Sequence, residues 1–185
     1  MKPPLHERVS LTAPRIEIRD AEDYLKRAIR KRLLIASNQG RLRVGSHTIS
    51  SVVRVLPSND RRDAFDLVGG RRNFDRRTDL VDLWMPDGGW IFFAAILVPT
   101  SAGLEVHAYD FERVYGDGST PRWVRFDYNH AEHANDERGF RAHLHPSNDD
   151  LMLPSPILAP HELLDLLLPQ DPPPGERKAR TKGTL

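Results

Sequence analysis

Three short turns constrain this chain more than any other feature. Pro86-Asp87-Gly88-Gly89, Pro99-Thr100-Ser101-Ala102-Gly103 and Gly116-Asp117-Gly118-Ser119 separate the runs DLVDLWM, WIFFAAILV, LEVHAYDFERVY and RWVRFDY. A parallel crossover needs about a dozen residues or more, so connections this short force successive strands to be antiparallel neighbours. FRAHLH adds a further strand, on which His143 and His145 share one face because side chains alternate. Upstream, residues 41–44 and 48–56 read as a hairpin about Gly45-Ser46, since TISSVVRV is rich in β-branched residues. Residues 57–78 hold Asn59-Asp60, Gly69-Gly70 and three Arg-Arg pairs, and read as a long polar connection.

Two helices frame the strands. Asp20 suits an N-cap, and Leu25, Ala28, Ile29, Arg32, Leu33 and Ala36 form one stripe that ends at Asn38-Gln39-Gly40, predicting a helix over 20–37. Pro160 suits a first helical position ahead of Leu163, Leu164, Leu166, Leu167 and Leu168, predicting a short helix over 160–168. The expected fold is α+β: an antiparallel β-meander of five or six strands within residues 41–145, with both helices packed on one face. Residues 1–19 read as an N-terminal arm, 20–168 as a single domain and 169–185 as a disordered basic tail.

The formal net charge of +1 conceals a basic front and an acidic back. Residues 1–82 hold 18 Lys+Arg against 11 Asp+Glu, whereas residues 83–170 hold 5 against 13. On the first helix Lys26, Arg27, Arg30 and Lys31 lie opposite the apolar stripe, which makes them candidate phosphate contacts for a nucleic acid. Mutual attraction of the two halves is the simpler account of the split. The chain has no cysteine, which excludes disulfides, thiolate metal sites and a cysteine nucleophile. Its longest apolar run, Trp90 to Val98, is about half the length that crosses a bilayer, and the first residues lack an apolar signal segment, so the expectation is a cytoplasmic protein with no membrane association.

Four of the eight histidines, His130, His133, His143 and His145, fall within 16 residues. Three chemistries fit such a group. A metal could be held by His130, His133 and a strand histidine, with Asp127 or Glu132 as oxygen ligand or supporting partner. A metal-free ribonuclease could use one histidine as general base on a 2′-hydroxyl and another as general acid on the leaving oxygen. Anion binding could combine imidazolium with Arg125 and Arg141. Against all three stands a purely structural role, with the rings hydrogen-bonded to carboxylates such as Asp136, Glu137, Asp149 and Asp150. The segment from Ala134 to Gly139 is polar and glycine-terminated, a poor scaffold for near-tetrahedral ligands, so no metal and no cofactor is expected.

Residues from about Leu83 to Leu168 resemble the TumE family of small toxins from bacterial toxin–antitoxin pairs. The likeness rests on the Pro86-Asp87-Gly88-Gly89 turn between apolar strands, R-F-D-Y-N-H from Arg125 to His130, R-A-H-L-H-P from Arg141 to Pro146, and L-P-S-P from Leu153 to Pro156 ahead of a leucine-rich helix. It implies a growth-inhibiting bacterial protein acting on RNA and neutralised by an antitoxin. The leading expectation is therefore a toxin-like or defence-associated ribonuclease, with His130, His133, His143 and His145 as acid–base groups. Arg125, Arg141, Lys26, Arg27, Arg30 and Lys31 would then serve as substrate contacts. The alternative is a non-catalytic interaction module or antitoxin-like partner in which the histidines are structural.

Overall fold

The computed structural model describes residues 14–130 and 141–168. The chain is α+β, with eight antiparallel strands: β1 (Arg15–Ile16), β2 (Arg54–Pro57), β3 (Phe65–Gly69), β4 (Trp90–Thr100), β5 (Gly103–Val114), β6 (Trp123–Tyr128), β7 (Ala142–Pro146) and β8 (Leu153–Pro154). They form one sheet in the order β2-β3-β4-β5-β6-β7-β8, and β1 pairs with the start of β5, beyond the end of β6. The meander is as expected, with more strands because two are only two residues long.

Alternation assigns each strand a core side and a free side. On β4, Ile91, Phe93, Ala95 and Leu97 are buried toward the helices, and their partners on β3 and β5 include Leu67, Tyr109 and Phe111. The first helical segment runs on through α1 (Ala21–Tyr24), a π-helical stretch (Leu25–Arg30) and α2 (Lys31–Asn38). Asp20 caps it by accepting a 2.7 Å hydrogen bond from the Asp23 amide. Tyr24, Leu25, Ile29 and Leu33 join the same buried cluster as the strand residues, and so do Leu163, Leu164 and Leu167 of α4 (Pro160–Leu167). Pro160 opens α4, and the Glu162 carboxylate accepts from the Ala159 amide at 2.7 Å.

Three expected segments fold differently. Residues 48–52 belong to helix α3 (Ser46–Val52), and only Arg54–Pro57 is strand, so the hairpin about Gly45-Ser46 does not form. Ile49 and Val53 are both fully buried one helical turn apart, and that packing outweighs the β-branched preference of TISSV. Within the expected polar connection lies β3, which pairs with both β2 and β4. Its Phe65 and Leu67 face the core side, and Asp66 between them masks the strand in the sequence. DLVDLWM forms a 3-10 turn at Thr78–Leu80 and a single Trp84↔Trp90 bridge instead of a strand, because the Leu83 and Trp84 carbonyls serve Ile91 and Arg43 rather than one continuous ladder.

The two helical segments meet through a hydrogen-bonded pair. The Tyr24 hydroxyl lies 2.9 Å from His161 Nδ1 and accepts from the His161 amide at 3.2 Å. The hydroxyl oxygen that accepts from that amide is thus also within hydrogen-bond reach of the ring. Burial, and secondarily the Arg32 charge, lowers the His161 pKa, while Glu162 and Asp165 oppose the shift. A lowered value means the folded state resists protonation. Stability from this contact is full above the ordinary histidine pKa of about 6.5 and is lost as pH falls through the folded-state value. Melting temperatures from about pH 5 to about pH 8 should therefore decline more steeply on the acid side for the parent chain than for His161→Gln. Equal slopes would remove His161 as the cause.

Candidate functional site

The sheet face opposite the helices carries two rows of side chains set by strand register. One row reads Ala94, Asp110, Asp127, His143 across β4 to β7, and the next reads Phe92, Glu112, Arg125, His145. Each lies on the free side because its sequence neighbours, Phe93, Tyr109, Phe111, Tyr128 and Ala142 among them, fill the core. Glu112 lies directly opposite Arg125, which supports the pairing, whereas Asp110 opposite Asp127 sets two carboxylates side by side. The loop after β3 completes the site. Arg72 reaches Asp110 at 2.9 Å, Arg76 reaches Glu112 at 3.2 Å, and the Arg76 guanidinium stacks 4.0 Å above the Trp123 ring. Phe74, 72% exposed, stands at the rim beneath Arg72. Of these groups Arg72, Phe74, Arg76, Ala94, Asp110, Arg125, Asp127 and His145 line a cleft of about 820 Å³.

Asp127 organises the floor. Its Oδ2 lies 2.9 Å from Arg125 Nε, 3.2 Å from His145 Nε2 and 3.5 Å from His143 Nε2. Burial alone would raise the Asp127 pKa, but its close contacts with both histidines and the Arg125 charge outweigh it and hold the carboxyl well below the usual range. Asp110 behaves oppositely. Burial, reinforced by the Asp127 charge, pushes it up to about 7 against the pull of Arg72 and Arg125. Its Oδ1, like that of Asp66, is buried with no hydrogen-bond partner. Burial also raises Glu112. Arg125 further pairs with Asp149 at 2.7 Å.

The structure separates the expected site residues into groups. His143 and His145 come together, with rings 4.8 Å apart and edge-to-face, but only His145 borders the cleft and His143 is wholly buried beneath it. His130 stands on the cleft wall, its ring parallel to His107 at 5.8 Å. His107 is the extra residue of a bulge in β5 between the pairs Ile96↔Ala108 and Leu97↔Val106, a feature that re-aims a side chain. His133 lies outside the described residues. Arg125 is in the site, whereas Arg141 stacks on Tyr128 and donates to the Asn129 carbonyl outside the cleft lining.

The basic residues of the first helix are on the other side of the sheet. Arg27 pairs with Asp23 at 2.7 Å, and Arg30 donates to the Val53 carbonyl at 2.7 Å. Lys26 and Lys31 are exposed away from the cleft. The arginines that do line the cleft, Arg72 and Arg76, come from the Arg-Arg pairs of the loop. Asp110 and Glu112 were missed as site residues, although their signal is present: two acidic residues at period two inside HAYDFERV, on either side of the fully buried Phe111. Among the described residues no helix is long and apolar enough to cross a membrane. Comparison with known family models, with curated proteins and with solved structures finds no significant match for this chain.

Proposed function

We propose that the protein is a toxin-like or defence-associated enzyme that acts on RNA in the cytoplasm, and that the cleft on the helix-free face is where the phosphodiester binds. One observation carries this reading: Arg72 and Arg125 flank a buried carboxylate, Asp110, at the bottom of an open cleft, with His130 on its wall. Arginine suits phosphate oxygens, and half of the Arg72 side chain is exposed and able to take one. Asp110 is placed to accept a proton from the attacking 2′-hydroxyl and His130 to give one to the 5′-oxygen. The 2′-oxygen then bonds to phosphorus as the bond to the 5′-oxygen breaks, leaving a 2′,3′-cyclic phosphate.

The test is incubation of the purified chain with structured and single-stranded RNA, with cleavage and binding followed across salt concentrations. Cleavage is expected to fall about 100-fold in Asp110→Asn with the fold unchanged. Binding should weaken steeply with salt and more so after Arg72→Ala. Absence of both cleavage and salt-dependent binding would overturn the reading and favour the alternative, a protein-interaction module whose buried His143 and His145 serve structure alone.

A further inference from the structure

We propose that Asp127, His143 and His145 bind a single zinc ion, with its open coordination position facing the cleft. The inference concerns the same cleft but rests on strand geometry, so it stands or fails independently of the RNA reading.

The first argument is the state of His145. Its Nδ1 lies 3.3 Å from the Asn148 carbonyl oxygen, which can only accept, so Nδ1 carries the proton. Its Nε2 faces Asp127 Oδ2 at 3.2 Å, also an acceptor. For a neutral ring this sets a lone pair against a carboxylate oxygen, an arrangement that a cation between the two atoms resolves. A proton on Nε2 is the competing occupant. The second argument is size. Zinc bonds of about 2.0–2.1 Å in a tetrahedron place ligand atoms about 3.3–3.4 Å apart. The two nitrogen-to-oxygen separations here, 3.2 and 3.5 Å, match those edges, while the 4.8 Å span of the three ligand atoms is wider and has to close on the ion. Two imidazoles and one carboxylate form a donor set of catalytic zinc sites.

The third argument is that the ligands are held. Asp127 and the two histidines sit at fixed registers on the neighbouring strands β6 and β7, so the polar segment that argued against a metal in the sequence supplies none of them. Arg125 Nε occupies one lone pair of Oδ2 and leaves the other for the metal, which makes Arg125 a positioning residue. The last argument is charge. Five aspartates, Asp60, Asp66, Asp110, Asp127 and Asp149, line the cleft against the three arginines Arg72, Arg76 and Arg125. The unpartnered oxygens of Asp66 and Asp110 are buried on the same face. A divalent ion offsets that excess and would let a phosphate approach.

The experiment uses the full chain, stripped with chelator and dialysed, then titrated with zinc chloride by calorimetry and elemental analysis. The expected result is one zinc per chain and a raised melting temperature. Affinity should fall at least about tenfold in Asp127→Asn and in His145→Gln, and remain unchanged in His47→Ala, an exposed histidine elsewhere. Circular dichroism checks that each variant is folded. Because a ligand variant could lose its fold, cobalt(II) is added to the parent chain as a second readout. Visible bands of tetrahedral cobalt, displaced by zinc, support the site. No stoichiometric zinc, binding indifferent to both ligand substitutions in folded protein, or a six-coordinate cobalt spectrum with preference for iron or manganese overturns it.

Discussion

Alanine at position 111 is expected to cost about 3–5 kcal/mol, a large share of the roughly 5–15 kcal/mol typical of a folded domain. Phe111 is fully buried at the middle of β5, stacked on Phe93 with ring centroids 5.2 Å apart and met edge-on by Tyr109 at 5.8 Å. Truncation forfeits both the transfer energy and the aromatic contacts, and the β4–β5 ladder holds the backbone too firmly to close the void. Phe111→Leu retains most of the volume and should lose about 1–2 kcal/mol. Urea unfolding of the three proteins decides the matter. A loss under about 1 kcal/mol in the alanine variant would show that the sheet repacks around the gap.

Arg113→Met is expected to destabilise by about 3 kcal/mol, and for a different reason. The Arg113 side chain is nearly buried, donates to Asp87 Oδ2 at 2.7 Å and to the Leu167 carbonyl at 2.8 Å, and packs over Tyr115. One guanidinium thus joins the first turn of the meander, the end of β5 and the C-terminus of α4, where a positive charge also complements the helix dipole. Methionine preserves the packing but leaves a carbonyl and a carboxylate without their donor. Asp87 is partly exposed, so water recovers some of that loss and the cost stays at the low end for a broken buried pair. Arg113→Lys should recover less than half, since an ammonium group lacks the planar fork that serves both acceptors. A melting temperature indistinguishable from the parent for Arg113→Met would refute the tie. Roughly 2–4 °C per kcal/mol is expected for a chain of this size.

What the sequence made legible was what local chemistry encodes. The turns at 99–103 and 116–119 dictate antiparallel neighbours, whereas the one at 86–89 joins β4 to a single bridge, and Pro160 marks the start of α4 by its missing amide. Alternation alone put His143 and His145 on one face. The segments that went astray are those where tertiary burial decides. Ile49 and Val53 satisfy a helix only because the core has room one turn apart, and Asp66 interrupts the pattern of β3 because its face borders the cleft. Docking of Arg72 and Arg76 onto Asp110 and Glu112 joins positions more than thirty residues apart, which no local periodicity reveals. The lysines and arginines of the first helix lie across the sheet from the cleft, which the sequence hides for the complementary reason. Their exposed face was visible in the sequence, but the direction it points relative to the sheet was not.

Core and cleft are written on odd and even positions of the same strands, and this fixes how the gene can change length. One residue inserted into β5 between Tyr109 and Phe111 would send every later side chain of that strand to the opposite face, placing Glu112 among the helices and Phe111 in the cleft. Two residues restore the parity, and the turn at 115–122, lying beyond the ladder, absorbs any number. Length variation compatible with an intact site is therefore confined to connections, comes in steps of two within the strands, or is taken up by a bulge such as that at His107.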